Sequence, residues 1–118
     1  MSEETKYTFE LIQEHIRVCE QRFQGINIAS DFTATTQGQL ILDAICMRLQ
    51  TLSDLVKRHV KHNPEFPFKY PEIDWVRIIR FRDFISHHYE ELDFEVIFGI
   101  CKFELNRLKV VCDKEIAS

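Results

Sequence analysis

The chain has 118 residues, of which 45% are apolar and ten are Phe, with only three Gly and three Pro. This length and composition predict one domain over residues 1–118 with a single core, and they exclude a two-domain or low-complexity chain. A net charge of −4 argues against a general nucleic-acid binder. The sequence holds no apolar run of the ~18 residues that a membrane span needs, and its acidic N-terminus is not a signal peptide. We therefore expect a soluble cytoplasmic protein with no membrane association.

Apolar residues at helical spacing predict the first two helices. A stripe from Phe9 to Phe23 predicts a helix over about residues 5–25. Residues 26–38 have no clean period and are expected to form a loop or a broken turn. A second helix is predicted over about 36–62, and Asn63-Pro64 ends it. The apolar stripe of this second helix is Leu40 or Ile41, Ala44 or Ile45, Leu49, Leu52, Leu55 or Val56, and Val60.

Two further helices follow a connector that holds all three prolines, NPEFPFKYPEID. Asp74 is the expected N-cap of a third helix that starts at Trp75, and Asp93 is the expected N-cap of a fourth. These four amphipathic helices with short links predict an all-α antiparallel bundle. The inward residues are expected to be Val76, Ile79 and Phe84 in the third helix, and Phe94, Ile97, Phe98, Cys101, Leu105, Leu108 and Cys112 in the fourth.

The four cysteines show neither a CxxC pair nor a zinc-ribbon spacing. Each cysteine lies among apolar residues at helical spacing, which predicts buried free thiols in a reducing compartment.

Basic residues are concentrated in one part of this acidic chain. The window 57–82 carries seven basic and three acidic side chains, a net +4, so the remaining residues carry −8. A concentrated positive patch suits a specific phosphate-bearing ligand such as RNA, although a solvated basic helix end gives the same pattern. The basic residues of this window are Lys57, Arg58, Lys61, Lys69, Arg77, Arg80 and Arg82.

Residues 82–89 read RDFISHHY and bring an arginine, two histidines and a tyrosine close together. Each residue of a helix turns by ~100°, so Arg82 and His87 lie about 140° apart on a continuous helix and do not share a face. The side chains of the segment converge only if the helix ends near His87, or if a second chain supplies the missing groups.

The residue types suit phosphodiester cleavage. Arg82 can hold a phosphate bidentately, His87 can move a proton near neutral pH, and Tyr89 can orient either group. Asp83 can lock the arginine or cap a neighbouring element, and His88 can share the proton transfer or be merely exposed. RNA brings its own nucleophile, the 2′-hydroxyl, so no metal or cofactor is required. Cations also compensate the dipole at a helix C-terminus, which leaves a purely structural role open.

A metal site has little support in the sequence. His87 and Glu91 are four residues apart, and His59 and His62 are three apart. A di-metal bundle uses Glu-x-x-His motifs on facing helices, and the sequence contains none. We therefore expect no bound metal.

The motif and its flanks resemble one known family. Arg82-x4-His87-x-Tyr89 matches the Arg-x4-His-x-Tyr signature of the HepT-like toxins of the HEPN superfamily. The segment YPEIDWVRIIRFRDFISHHYEELDFEVIF is similar to the Tyr-Pro-Glu-Ile-x-Trp segment, motif helix and following helix of that family, and LQTLSDLVK is similar to its preceding helix. The resemblance extends over roughly residues 40–112.

The resemblance implies a four- to five-helix bundle that dimerises through its motif-bearing end, with two motif copies facing each other across a cleft. It also implies a metal-independent endoribonuclease that uses 2′-hydroxyl attack and leaves a cyclic phosphate. Arg82 would bind the phosphate, His87 would be the general acid or base, and Tyr89 would support the site. The partner would be a minimal nucleotidyltransferase (MNT) antitoxin that silences the toxin by attaching AMP to Tyr89.

One departure from the family concerns the second helix, where an alignment by eye places the family's Gly-Glu pair on Cys46-Met47. Three hypotheses remain. The leading one is a homodimeric RNA endonuclease toxin. The second is a non-catalytic HEPN module that binds nucleotide or RNA, or docks a nucleotidyltransferase, and the third is a purely structural bundle.

Overall fold

The computed structural model describes the backbone of residues 2–88 and 93–118, and the side chains of the same residues except 86–88. Every regular element in these residues is helical. Three short elements accompany the main helices: a 3₁₀ turn at Ala29–Phe32, the one-turn helix α3, and a π-helical turn at Ile100–Glu104 that joins α5 to α6. The helices are α1 (Glu3–Phe23), α2 (Thr36–His62), α3 (Phe66–Lys69), α4 (Trp75–His88), α5 (Phe94–Gly99) and α6 (Leu105–Ala117).

The helix ends follow from capping side chains. Asp74 Oδ1 accepts a hydrogen bond from the backbone N–H of Arg77 at 3.1 Å, and Asp93 Oδ1 accepts one from Glu95 at 2.9 Å. Both caps were predicted from the sequence and are confirmed. Thr35 caps α2 in the same way, because its Oγ1 accepts from the backbone N–H of Gly38 at 2.9 Å. Such bonds satisfy backbone donors that a helix leaves unpaired in its first turn.

The core lies where α2 packs against α1 and α4, and where α1 packs against α6. The predicted stripe of α1 is confirmed, because Phe9, Ile12, Ile16 and Cys19 are buried and Phe23 is partly buried. The inward face of the fourth predicted helix is also confirmed, since its residues are buried or partly buried against the core. α5, the π-helical turn and α6 together form that helix.

One inward assignment was wrong. Val76 is 57% exposed, because the buried face of α4 follows Trp75, Ile78, Phe81 and Ile85, and Val76 lies ~100° from Trp75 around the helix. Leu40 is exposed as well. Of the two alternatives considered at that turn of α2, it is Ile41 that packs against the core.

The connector between α2 and α4 belongs to the core, which its three prolines did not reveal. Phe66 packs against the rings of Phe9, His59 and Trp75. Glu115 of α6 is buried and accepts hydrogen bonds from the Tyr70 hydroxyl at 2.6 Å and from Lys69 Nζ at 2.7 Å. A buried carboxylate needs such donors, and these bonds tie the connector to the C-terminal helix.

The four cysteines are free thiols and all four are buried, as predicted. Burial raises the pKa of Cys19, Cys46 and Cys112 to about 12, and it also raises the pKa of Cys101. These thiols are therefore protonated and unreactive in the folded protein. Within the described residues, none of the helices combines the length and apolar character that crossing a membrane requires.

Candidate active site

Arg82, the arginine of the RDFISHHY segment, lies in the helix α4. α4 is helical from Trp75 through His88, so the helix does not end before His87. Arg82 and His87 therefore remain about 140° apart around one helix.

Arg82 borders α2 and forms an ion pair with it. The Nε atom of Arg82 lies 3.2 Å from Oδ2 of Asp54, and the two side chains are 52% and 43% exposed. Solvent screens a pair this exposed, so its contribution to stability is small. The ion pair joins Nε to Oδ2, and the terminal NH₂ groups of a guanidinium can bind a phosphate. Asp54 therefore orients Arg82 more than it stabilises the fold.

The residue before Asp54 contacts the backbone of α4 beside Arg82. Ser53 is fully buried, and its hydroxyl lies 2.7 Å from the carbonyl oxygen of Ile78 and 2.9 Å from that of Ile79. The backbone N–H of Arg82 donates to the same hydroxyl oxygen at 3.3 Å. Ser53 and Asp54 together bring α2 against the turn that presents Arg82.

Sequence reasoning did not identify either of these α2 residues. A signal for Ser53 exists, because it lies four residues after Leu49 and three before Val56, both of which are buried. A serine at that position of an apolar stripe must find a hydrogen-bond partner in the interior. No comparable signal marks Asp54, because its pairing depends on how α2 and α4 pack.

Cys46-Met47, the pair aligned by eye with the family's Gly-Glu, precedes Asp54 by seven to eight residues on α2. Cys46 is buried in the core and Met47 is 65% exposed. The carboxylate that reaches Arg82 from α2 comes instead from Asp54. Arg82 therefore has an acidic partner on α2 even though Cys46-Met47 stands where the family has a Gly-Glu pair.

Of the other predicted site residues, the structure describes the side chain of Asp83 but not those of His87, His88 and Tyr89. Asp83 is exposed, and the carboxylate that pairs with Arg82 is Asp54. The side chains of His87 and His88 lie outside the described residues, although both belong to α4. Tyr89, the predicted supporting and modified residue, lies outside the described residues entirely.

The predicted phosphate-binding residues fall into two groups. Lys57, Arg58 and Lys61 are exposed on α2 and share a stripe with Asp54, since they follow it by three, four and seven residues. The stripe runs from the Arg82 contact toward the C-terminal end of α2.

The second group lies on α4. Arg80 is exposed and borders an open, mostly apolar groove that Val76 and Phe84 of α4 form with Val96 of α5. Arg77 forms an ion pair with Glu104 in the π-helical turn, with Nη1 and Oε1 2.6 Å apart. The structure therefore places only the α2 group on one continuous line with the Arg82 pair.

The described residues contain no group of three or more His, Cys, Asp or Glu side chains able to hold a metal ion. His59 and His62, whose three-residue spacing had been considered as a metal-ligand pair, make other contacts. The His59 ring packs edge-on against Phe9 and Phe66, and His62 Nδ1 contacts the carbonyl oxygen of Arg58 at 2.8 Å.

Comparison with protein families adds the decisive observation. A family model described as "Ribonuclease HepT-like" matches residues 12–115, a range that contains α2, α4 and the whole RDFISHHY segment. The chain belongs to the HepT-like ribonuclease family. The helical bundle fits this family, and membership indicates a ribonuclease-type function. No curated protein and no solved structure matches the chain significantly.

Proposed function

We propose that this protein is a metal-independent endoribonuclease that acts as a homodimer and serves as the toxin of a toxin–antitoxin pair. The observation that carries the proposal is the state of Arg82. It is a half-exposed arginine of the family motif, held at the edge of an unbroken helix by Ser53 and Asp54. An arginine held in this way is preorganised for a phosphate group.

The proposed reaction uses the nucleophile that RNA carries. The 2′-hydroxyl attacks the adjacent phosphorus and the bond to the 5′-oxygen breaks, which leaves a 2′,3′-cyclic phosphate and a free 5′-hydroxyl. Two protons move: the 2′-hydroxyl loses one and the leaving 5′-oxygen gains one. His87 transfers one of them as general base or general acid, and water takes or supplies the other. Arg82 binds the phosphate oxygens, where negative charge builds up. Neither step needs a metal ion or an organic cofactor.

A homodimer can bring Arg82 and His87 together, although positions 82 and 87 of one chain are about 140° apart around α4. Helical geometry puts position 87 on the same face of α4 as Val76, Arg80 and Asp83, all of which are exposed. The adjoining groove between α4 and α5 adds an apolar surface. Two copies that pack through this face across a two-fold axis bring His87 of one copy toward Arg82 of the other.

The basic stripe on α2 supplies a path for the RNA backbone. Lys57, Arg58 and Lys61 extend away from the Arg82–Asp54 pair along one side of α2. Exposed cations of this kind bind phosphates without reading the sequence. We propose that they hold the strand on one side of the cleavage point. Arg80 does the same within the cleft, and Arg77 contributes less because Glu104 neutralises it.

Regulation is proposed to come from an MNT antitoxin that attaches AMP to Tyr89. Tyr89 follows the motif histidine by two residues, so a phosphoryl group on its oxygen would add negative charge beside the phosphate-binding site. Co-expression with the cognate nucleotidyltransferase should raise the intact mass by one or more AMP units on Tyr89. An unchanged mass would argue against this regulation without touching the nuclease proposal.

The main test is RNA cleavage by purified variants. His87→Ala and Arg82→Ala should each lower the cleavage rate by about 100-fold or more. An acid–base group contributes about 10²–10⁴-fold, and a donor to the developing negative charge contributes about 10²–10³-fold. Both variants should relieve growth arrest on expression. Matched controls are His62→Ala and Arg22→Ala, which remove exposed residues of the same type elsewhere. Equal activity of His87→Ala and wild type would refute the mechanism. RNA binding with no product from any variant, wild type included, would instead indicate a non-catalytic module.

A further inference from the structure

We infer that Ser53 is a positioning residue for Arg82, acting through the backbone of α4. The inference rests on the proposed function for its catalytic consequence, but its structural part can be measured separately. Ser53 lies outside the RDFISHHY segment on another helix, and its side chain is fully buried, so it cannot touch RNA itself.

The hydroxyl of Ser53 is placed at the turn that ends in Arg82. In an α-helix the N–H of Arg82 points at the carbonyl of Ile78, four residues earlier. The Ser53 oxygen lies beside both groups, 2.7 Å from the Ile78 oxygen and 3.3 Å from the Arg82 nitrogen. Its single proton is shared between the carbonyls of Ile78 and Ile79, while the oxygen accepts from Arg82.

A directional contact is needed here because apolar packing does not fix rotation. Apart from the Arg82–Asp54 pair at its exposed edge, the α2 surface around Ser53 is apolar, with Leu49, Leu52 and Val56 buried. Burial of apolar area is favourable but non-directional. A hydrogen bond loses strength steeply when its angle changes, so Ser53 fixes both the rotation of α4 and its position along α2.

The rotation of α4 decides where the guanidinium lies. Helix side chains reach about 5–6 Å from the axis, so a rotation of about 20° moves the Arg82 side chain by about 2 Å. That displacement is large compared with the 3.2 Å contact between Arg82 Nε and Asp54 Oδ2. A misplacement of 1 Å can already cost about 100-fold in rate when it affects a reacting group.

Ser53 is expected to affect the position of Arg82 more than the stability of the fold. The carbonyls of Ile78 and Ile79 lie within α4, where the helix itself supplies donors, so removing the Ser53 hydroxyl does not orphan them. We therefore expect Ser53→Ala to change the melting temperature by less than about 5 °C. Its main effect should fall on the environment of the Arg82 guanidinium.

The direct readout is the Nε–Hε signal of Arg82 in a ¹⁵N correlation spectrum, assigned by its loss in Arg82→Ala. In Ser53→Ala this signal should shift toward that of a solvent-exposed arginine, in the same direction as in Asp54→Asn. Ser53→Cys keeps the shape of the side chain, is slightly larger and has a weaker donor, so it should shift the signal in the same direction by less. Should the alanine variant not fold, the cysteine variant decides the question.

Kinetics give the second readout, and Thr51→Ala is the matched control. Thr51 is also on α2, but its hydroxyl donates to Met47 of its own helix. Ser53→Ala should lower kcat about tenfold and leave KM within about twofold, while Thr51→Ala leaves both constants and the Arg82 signal unchanged. An unmoved Arg82 signal in both Ser53 variants would overturn the inference. A shifted signal in a protein that cleaves no RNA would support the positioning role and refute the proposed function.

Discussion

The close approach of Gly38 to the 3₁₀ turn gives the sharpest prediction about the fold. Gly38 is the third residue of α2, and a Cβ built there would overlap the backbone oxygen of Asp31 and lie 3.1 Å from that of Phe32. Real Cβ atoms do not overlap backbone atoms, so Gly38→Ala must push α2 and the turn apart. The turn carries Phe32, which is fully buried.

The size of the effect follows from two opposing contributions. Alanine in place of glycine in a helix is favourable by up to about 1 kcal/mol. Forcing extra atoms into a packed site costs about 1–3 kcal/mol, and a clash with rigid backbone falls at the upper end. We expect Gly38→Ala to destabilise the protein by about 2 kcal/mol, which lowers the melting temperature by about 8 °C at this chain length.

Gly99→Ala is the matched control, because Gly99 is also helical and an added Cβ there would meet no atom within 4 Å. It should stabilise the protein by about 0.5–1 kcal/mol. Thermal and urea unfolding of the two variants and wild type, at one protein concentration, measures both changes. Equal stabilisation by the two substitutions would refute the placement of the 3₁₀ turn against α2.

Three further predictions concern charge and thiols. Burial raises the pKa of Glu115, but hydrogen bonds from Lys69 and Tyr70 outweigh it and hold the pKa below its usual value. Glu115 therefore stabilises the fold above its unfolded-state pKa and loses that effect as pH falls through the folded-state pKa. The stability difference between wild type and Glu115→Gln, about 1 kcal/mol at pH 7, should shrink below about pH 4 in urea titrations; a pH-independent difference would contradict this sign. The native protein should show almost no reactive thiol to a disulfide reagent and all four cysteines in urea, and fast labelling of the native state would contradict the burial. Asp54→Asn should change stability by less than about 1 kcal/mol, because the pair is half exposed, yet lower RNA cleavage about tenfold; unchanged cleavage would remove Asp54 from the site.

The sequence predicted those parts of the fold that depend on local chemistry. The period of the apolar residues identified the buried stripe of α1 and the fourth predicted helix, and the caps at Asp74 and Asp93 gave two helix starts. Val76 was assigned to the wrong face because α4 is short and has apolar residues on several sides. Periodicity alone does not decide which of those sides meets α2.

The parts that the sequence did not predict depend on contacts between distant segments. The buried Glu115 reads as an ordinary surface charge until the connector brings Tyr70 and Lys69 to it. In the same way, Asp54 becomes the partner of Arg82 only through the packing of α2 on α4. The sequence motif identified Arg82, whereas Ser53 and Asp54, which contact it, belong to another helix.

The claim that Arg82 and His87 act across two chains is tested most directly by mixing inactive variants. Arg82→Ala and His87→Ala proteins are unfolded, mixed in equal amounts and refolded together, so that random pairing makes half of any dimers mixed. A mixed dimer keeps one Arg82 and one His87 on different chains. The account predicts that the mixture recovers roughly a quarter of wild-type RNA cleavage, because half the dimers each keep one of two arginine–histidine pairs. No recovery, with mixed dimers verified by native mass spectrometry, would contradict it.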